Sequence, residues 1–344
     1  MAIKFRNHNK ILRLSILTGL FAILVIFLIL FWPQNKSGYS KKIKIKQGVN
    51  LTLISKILLK ENIISNSKTF ILAAKILGKE RSFPIGTFTL ENAKSNYKII
   101  QQLVNGNPEV KKIMILEGWN TKQIAKELNE KLGLQLNIMM DLSKDKVFLN
   151  KNNINANSIE GYLFPDTYMM FKGETSYSVF AKLIKKHNDF WIKTYLDRAR
   201  ELNLTKHEII TLASIIEGEA IYDIERAKIS GVYHNRLNLK MKLQADPTIQ
   251  YIIKDGPRRL LNKDLRIKSP YNTYLNKGLP PGPINSPGRN SLIAALYPEE
   301  HDFIFFVARG DGYHTFTINE KDHNRAKKHL QKIRKKIQSK KYNG

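Results

Sequence analysis

The sequence predicts an α+β fold that follows one N-terminal transmembrane helix. Three observations support this prediction. A long stretch near the N-terminus has no charge, a strand–helix pattern occurs at residue 47 and again at residue 117, and the second half combines long helical patterns with a turn-rich region. The chain has 344 residues, of which 42% are hydrophobic. It is therefore long enough and apolar enough for two packed domains.

The composition excludes several kinds of chemistry. There is no cysteine, so disulfides, thiolate metal sites and a cysteine nucleophile are absent. The net charge is +28, from 57 Lys+Arg against 29 Asp+Glu. Because the lysines are spread along the chain, a solvated basic surface is favoured over a dedicated site for a polyanion. No nucleic-acid-binding motif is present, and the apolar helix argues against that class of partner.

The uncharged stretch, residues 14–32, predicts a transmembrane anchor. It is long enough to cross about 30 Å of hydrocarbon as a helix. A cleaved signal peptide would have a shorter apolar core, followed by small residues. Here Phe31, Trp32 and Pro33 follow, which favours an uncleaved anchor. Lysines and arginines lie on both flanks, so charge does not set the orientation; a short cytoplasmic tail of residues 1–13 is expected from position alone.

A polar linker is expected at 33–40, followed by a small strand–helix module at 41–106. Within this module we expect strands at 42–46 and 86–90 and helices at 51–59, 68–77 and 97–103. The strand, glycine turn, asparagine cap and helix of its first part recur around Gly118 and Asn120. A second domain is expected to cover 107–344.

In the second domain, residues 132–158 are polar, Asn-rich and weakly periodic, which predicts a variable surface segment. Helices are predicted at 179–202, 207–220 and 224–239. A turn-rich region is expected at 245–288, then a strand at 303–308 and a basic C-terminal helix from about residue 319.

The helix at 207–220 is almost entirely apolar and ends with Glu217 and Glu219. On a helical wheel each acid lies on a different flank of the apolar stripe. A carboxyl group at such an edge is partly desolvated, which raises its pKa and lets it carry a proton near neutrality. The wheel prefers neither acid, and both are also compatible with a solvated helix end.

The chain resembles the MltG-type (YceG-like) endolytic murein transglycosylases over nearly its whole length, including the anchor and LysM-like N-terminal modules. In that family the first acid of the Glu-x-Glu pair is taken as catalytic, which corresponds to Glu217. The matching segments, in chain order, are Glu160–Tyr168, Leu212–Ala220, Asn235–Leu237, Leu243–Thr248, Tyr271–Tyr274, Gly278–Ile284, Ser286–Gly288 and Gly312–Phe316.

The resemblance implies a lyase that cuts the bond between N-acetylmuramic acid and N-acetylglucosamine and leaves 1,6-anhydromuramic ends, and that limits nascent strand length. It needs one carboxyl group and no metal or other cofactor. We expect a location in the plasma (inner) membrane with the catalytic domain outside the cytoplasm, glycan strands as substrate and cell-wall synthases as partners. Residues expected to bind the sugars are Asn235, Gln244, Asp246, Asn272, Tyr274 and Ser286.

The sequence is also compatible with two other functions. One is a hydrolytic muramidase, in which Glu217 works with Glu219 or Asp246, because hydrolysis usually needs two carboxylates. The other is a non-catalytic scaffold that holds glycan strands through the N-terminal modules. His207 and His314 have no metal-ligand spacing with any acid.

Overall fold

The computed structural model describes residues 2–34, 39–46, 48–106, 110–171, 173–254 and 256–342. The chain divides into two compact units. Unit 1 comprises Met1–Lys112 and Met169–Thr175, and unit 2 comprises Ile113–Tyr168 and Ser176–Gly344. Helices and strands occur in both, so the α+β prediction is confirmed. The expected domain boundary at 107 and half of the expected linker, residues 35–38, lie outside the described residues.

Unit 1 begins with the apolar helix and continues as a two-stranded sheet covered by helices. Strands β1 and β2 are antiparallel, with Ile43 opposite Phe88. Alternate residues of both strands point into one core, as their period-two pattern predicts. The elements are α1 (Ala2–Phe31), β1 (Ser40–Ile45), α2 (Leu51–Lys60), α3 (Ser67–Ile76), β2 (Gly86–Glu91) and α4 (Asn96–Val104).

Polar caps begin the helices of unit 1. The Asn50 side chain accepts a hydrogen bond from the Leu53 amide at 2.9 Å, and Asn66 and Ser95 cap α3 and α4 in the same way. Within α1, Arg13–Phe31 is long and apolar enough to cross a membrane, a property that a signal sequence would share.

The first part of unit 2 repeats the strand–helix pattern. Asn120 caps α5 and exchanges hydrogen bonds with Gln123 in a capping box, as the sequence repeat predicts. The segment 132–158 contains two short helices, which bury Met139 and Phe148. Helices of only six or seven residues give a weak periodic pattern, so the sequence did not predict them. The elements are β3 (Val110–Ile115), α5 (Thr121–Leu132), α6 (Leu136–Leu142), α7 (Lys146–Lys151) and β4 (Asp166–Phe171), with β3 paired to β4; the division between the units falls within both strands.

The rest of unit 2 is mainly helical. The helix expected at 179–202 is two helices, because the chain becomes extended at Ile192 between them. A short helix, missed by sequence reasoning, follows Ala245 with Pro247 in its first turn. The elements are α8 (Ser176–Phe190), α9 (Lys193–Glu201), α10 (Lys206–Glu219), α11 (Asp223–Asn238), α12 (Asp246–Ile252), α13 (Arg289–Leu296), β5 (Phe305–Ala308), β6 (His314–Thr317) and α14 (Glu320–Tyr342).

Candidate active site

Helix α10 lies at the centre of unit 2 and packs against α11, α12 and α13. A capping box formed by Thr205 and Glu208 begins it, and every residue from Ile209 to Ile216 is buried. Its last turn carries Glu217 and Glu219. Because the partial charge at the C-terminal end of a helix is negative, two carboxylates there need partners from elsewhere in the fold.

Glu217 lies in a closed network of hydrogen bonds. Its Oε1 is 3.1 Å from Nη1 of Arg226, and its Oε2 accepts a hydrogen bond from the Gly288 amide at 2.9 Å. The side chains of Glu217 and Arg226 are only 6% and 7% exposed. Arg226 also donates to Asp223 and to the Ser291 hydroxyl. We call Glu217, Arg226, Asp223, Ser291 and Gly288 the Arg226 network.

Glu117 lies beside this network. Burial, together with the negative charge of Glu217, raises the pKa of the Glu117 carboxyl group, and Arg226 opposes the shift. A side chain at position 288 would collide with Glu117, since a Cβ placed on Gly288 would come within 1.9 Å of Oε1. Sequence reasoning noted Glu117 only as part of the repeated pattern and did not predict its place near the acids of α10.

Glu219 has different surroundings. Tyr233 of α11 donates a hydrogen bond from its hydroxyl to Oε1 of Glu219 at 2.9 Å. Burial raises the pKa of Glu219 to about 7; the Tyr233 hydrogen bond opposes the shift and the charge of Asp246 adds to it. A substantial fraction of this carboxyl group is therefore protonated at neutral pH.

Asp246 and Tyr274 lie together next to Glu219. The Tyr274 hydroxyl donates a hydrogen bond to Oδ1 of Asp246 at 2.5 Å. Burial raises the pKa of Tyr274, and the Asp246 carboxylate adds to that effect. Glu219, Tyr233, Asp246 and Tyr274 thus form two tyrosine–carboxylate pairs from α10, α11, α12 and the loop after it.

A cleft of about 830 Å³ opens at this place. Glu219 and Asp246 line it, whereas Glu217 and Glu117 do not. Gly218 lets α12 approach, because a Cβ there would lie 2.6 Å from Pro247. The other lining residues include amide, hydroxyl and basic groups: Asn120, Lys122, Gln123, Gln250, Tyr251, Lys254 and Asn285. Such a mixture of groups can bind sugar hydroxyl and acetamido groups.

The structure brings Asp246 and Tyr274, of the six residues predicted to bind sugar, next to Glu219. Gln244 is exposed two positions before Asp246. The other three are engaged or enclosed within the protein. The Asn235 amide donates to two carbonyls and the Asn272 amide to two others, and Ser286 is fully buried. Sugar binding by these residues stays a prediction.

Glu160 is a second carboxyl group whose pKa burial raises to about 7. Its Oε1 accepts a hydrogen bond from the Thr121 amide at 2.9 Å, at the start of α5, and a further bond comes from Tyr251. The side chain is only 7% exposed. Because Tyr251 lines the cleft and bonds to Glu160, the buried Glu160 carboxyl group helps to hold this part of the cleft wall in place.

Comparisons with known proteins give a consistent result. A sequence model of the YceG-like family matches residues 43–329. The endolytic murein transglycosylase of Bacillus subtilis is 34% identical over 86% of this chain and 86% of that protein. The protein of the same name from Streptococcus pneumoniae strain D39 is 28% identical over 82% of this chain and 56% of that protein. A crystal structure of a putative YceG-like protein from Listeria monocytogenes has a TM-score of 0.58 and 30% identity, and covers 84% of this chain and 99% of its own.

Proposed function

The chain belongs to the YceG-like family, and on that basis we propose that it is an endolytic murein transglycosylase, a lyase that cuts peptidoglycan glycan strands. The observation that carries the proposal is the Glu219 carboxyl group. It lies on the wall of the cleft with a pKa raised to about 7. A general acid works best when its pKa is near the pH of the reaction.

In the proposed reaction, Glu219 gives its proton to the oxygen that joins N-acetylmuramic acid to N-acetylglucosamine. The bond from this oxygen to the muramic C1 breaks, and the muramic 6-hydroxyl attacks C1 of the same sugar. Glu219 takes the proton of that hydroxyl, which restores the acid and leaves a 1,6-anhydromuramic end. Because the nucleophile belongs to the substrate, holding the sugar in one geometry supplies much of the rate acceleration.

The neighbours of Glu219 fit this cycle. The Tyr233 hydroxyl donates to Oε1 of Glu219, and the Asp246 backbone amide also donates to this carboxyl group, so the two bonds fix the side chain. Asp246 places a negative charge on the cleft wall, where it stabilises the positive charge that develops on the sugar. Tyr274 holds Asp246 in position through its hydroxyl.

Glu217 is the alternative proton donor, as the family resemblance predicts. Its carboxylate is paired with Arg226 and accepts a hydrogen bond from the Gly288 amide, so both of its oxygens already have partners. It does not line the cleft. We therefore propose Glu219 as the donor and Glu217 as the residue that fixes the end of α10. Comparison of Glu219→Gln with Glu217→Gln decides between them.

A hydrolytic muramidase is the second candidate function, because Glu219 and Asp246 are two carboxylates on one cleft. The products distinguish the two reactions. We expect purified glycan strands, digested by the full chain and analysed by mass spectrometry, to yield fragments with 1,6-anhydromuramic ends. Fragments with reducing ends would assign hydrolysis, and unchanged strands would leave only a glycan-binding role.

We further propose that α1 is an uncleaved single-pass anchor, with residues 1–13 in the cytoplasm and the chain that follows the anchor outside. The supporting observation is the apolar span Arg13–Phe31. LysM-like binding of glycan by unit 1, control of strand length and cell-wall synthases as partners follow from the family resemblance. A reporter fused after Gly344 that is active only in the cytoplasm would contradict this topology.

A further inference from the structure

The last turn of α1 is part of the core of unit 1. The Leu30 side chain is 8% exposed and belongs to the same apolar cluster as Ile63 and Phe70. The ring of Phe31 packs on that of Tyr97 in α4, with centroids 5.2 Å apart. The end of the apolar helix is therefore held by the folded unit through side-chain packing.

Polar contacts hold the same place. The Asn96 amide donates a hydrogen bond to the carbonyl of Ile29 at 2.9 Å. That carbonyl is one of the last of the helix, which has no partner within the helix itself. Just beyond α1, the Gln34 amide donates to the Lys94 carbonyl at 2.7 Å. Side chain and backbone thus both fix the end of α1 to the start of α4.

The length of the apolar span sets the depth of these contacts. Arg13–Phe31 has 19 residues, or about 28 Å of helix at 1.5 Å per residue. The hydrocarbon core of a bilayer is about 30 Å thick. The whole apolar span is therefore needed to cross the hydrocarbon core, and no helical turn extends beyond it on the outer side. The residues that contact Ile29 and Phe31 consequently lie at the level of the lipid headgroups.

The residues at that level suit a membrane interface. Trp32 is 60% exposed, and the ring of Tyr97 packs against that of the preceding residue, Phe31. Exposed lysines begin both neighbouring helices, Lys68 in α3 and Lys98 in α4. Aromatic rings and long basic side chains are the groups that favour the interface. Between residues 40 and 106 the chain has twelve Lys or Arg against three Glu.

From these contacts we infer that unit 1 is a lipid-binding domain, held with the starts of α3 and α4 on the anionic headgroups of the membrane that α1 crosses. Lys68, Lys94 and Lys98 bind lipid phosphates, and the docked end of α1 prevents the unit from moving away. The inference rests on the proposed anchor but not on the proposed chemistry.

The docking is tested by a disulfide in the full chain, which has no cysteine of its own. Pro33 and Ser95 form an antiparallel β-bridge. Bridge partners have Cα atoms about 4.5–5.5 Å apart, which suits a disulfide. In native membranes, Pro33→Cys with Ser95→Cys should oxidise to an internal disulfide. Phe27→Cys with Ser95→Cys is the control, since Phe27 lies about 9 Å further into the membrane. Failure of the first pair to cross-link would overturn the docking.

Lipid contact is tested with fluorophores on Lys98→Cys and, as the matched control, Lys46→Cys. Both lysines are exposed. Ser40, at the start of β1, pairs with Glu91 and so lies near α4. Lys46 follows the other end of β1, about 20 Å along the strand from Ser40, and is therefore farther from the proposed membrane surface. In phosphatidylglycerol vesicles that carry a headgroup nitroxide, the full chain should show at least about twofold stronger quenching at position 98.

Each other outcome contradicts a stated part of the inference. Equal quenching at both positions would exclude lipid contact and leave an anionic wall polymer as the partner of the lysines, because these vesicles contain none. If the protein leaves the vesicles in an alkaline carbonate wash, the anchor itself is wrong. Glycan cleavage, measured on the same samples, reports separately on the proposed enzyme.

Discussion

The two sides of the last turn of α10 carry the same residue type in opposite surroundings. On one side, Glu217 meets a guanidinium group and a backbone amide in the Arg226 network. On the other, Glu219 meets a tyrosine hydroxyl and a second carboxylate on an open cleft. The difference shows that two acids two residues apart on one helix are held by entirely different partners.

The comparison also separates stability from chemistry. Glu217 is buried, and its carboxylate is bonded by a cation and a backbone amide, an arrangement that stabilises the fold around it. By contrast, burial and the negative charge of Asp246 raise the pKa of Glu219 to about 7. This carboxyl group lies on the wall of the cleft. The Arg226 network therefore fixes the helix end that presents Glu219 to the cleft.

The largest expected effect is on cleavage. Glu219→Gln should lower the rate of glycan cleavage by about 10²–10⁴-fold, because a general acid contributes this much, while the fold is kept since Gln still accepts the Tyr233 hydrogen bond. Glu217→Gln, the matched control, should keep most of the activity at a temperature where both variants are folded. The opposite ranking would make Glu217 the proton donor.

A comparable effect, on stability, is expected from Arg226→Met. This change leaves Glu217 as a buried carboxylate without its cation, which typically costs about 3–5 kcal/mol in the free energy of unfolding. Denaturant unfolding measures the loss. Adding Glu217→Gln to Arg226→Met should recover part of it, because the unpaired charge is removed. No recovery in the double variant would show that Arg226 acts mainly through Asp223 or Ser291.

The smallest effect concerns the pH dependence. The Tyr233 hydroxyl stabilises the ionised form of Glu219, so Tyr233→Phe should raise the pKa of Glu219 further. Because Glu219 must be protonated to act as the acid, activity falls as pH rises through that pKa. The alkaline limb of the pH–rate profile should therefore move up by about one to two pH units, since a lost hydrogen bond to a charged group is worth about 1.5–3 kcal/mol and one pKa unit is about 1.4 kcal/mol. A profile that does not move would remove Tyr233 from the mechanism.

The sequence predicted the site's helix but not its partners. The apolar run that ends in Glu217 and Glu219 is readable from local periodicity, and α10 follows it closely. Arg226, Tyr233 and Asp246 come from α11 and α12, and the Gly288 amide from a distant loop, so a helical wheel cannot place them. Their hydrogen bonds, which distinguish the two acids, depend on tertiary packing.

The same limit explains the differences in the fold. Predicted elements with strong alternation or caps, such as β1 and α5, form as expected. The helix expected at 179–202 is divided because Ile192 adopts an extended backbone, which periodicity alone does not reveal. The segment 132–158 contains helices whose few buried residues give too weak a pattern over six or seven positions.

The role of Glu219 as proton donor is tested most directly by measuring the protonation of its carboxyl group. Infrared difference spectra of the full chain in detergent, recorded from acid to alkaline pH with those of Glu219→Gln subtracted, report the protonated carboxyl band of this one residue. We expect a midpoint near pH 7, because burial raises the pKa of this carboxyl group. A midpoint near the ordinary value of a glutamate, about 4.3, would contradict it.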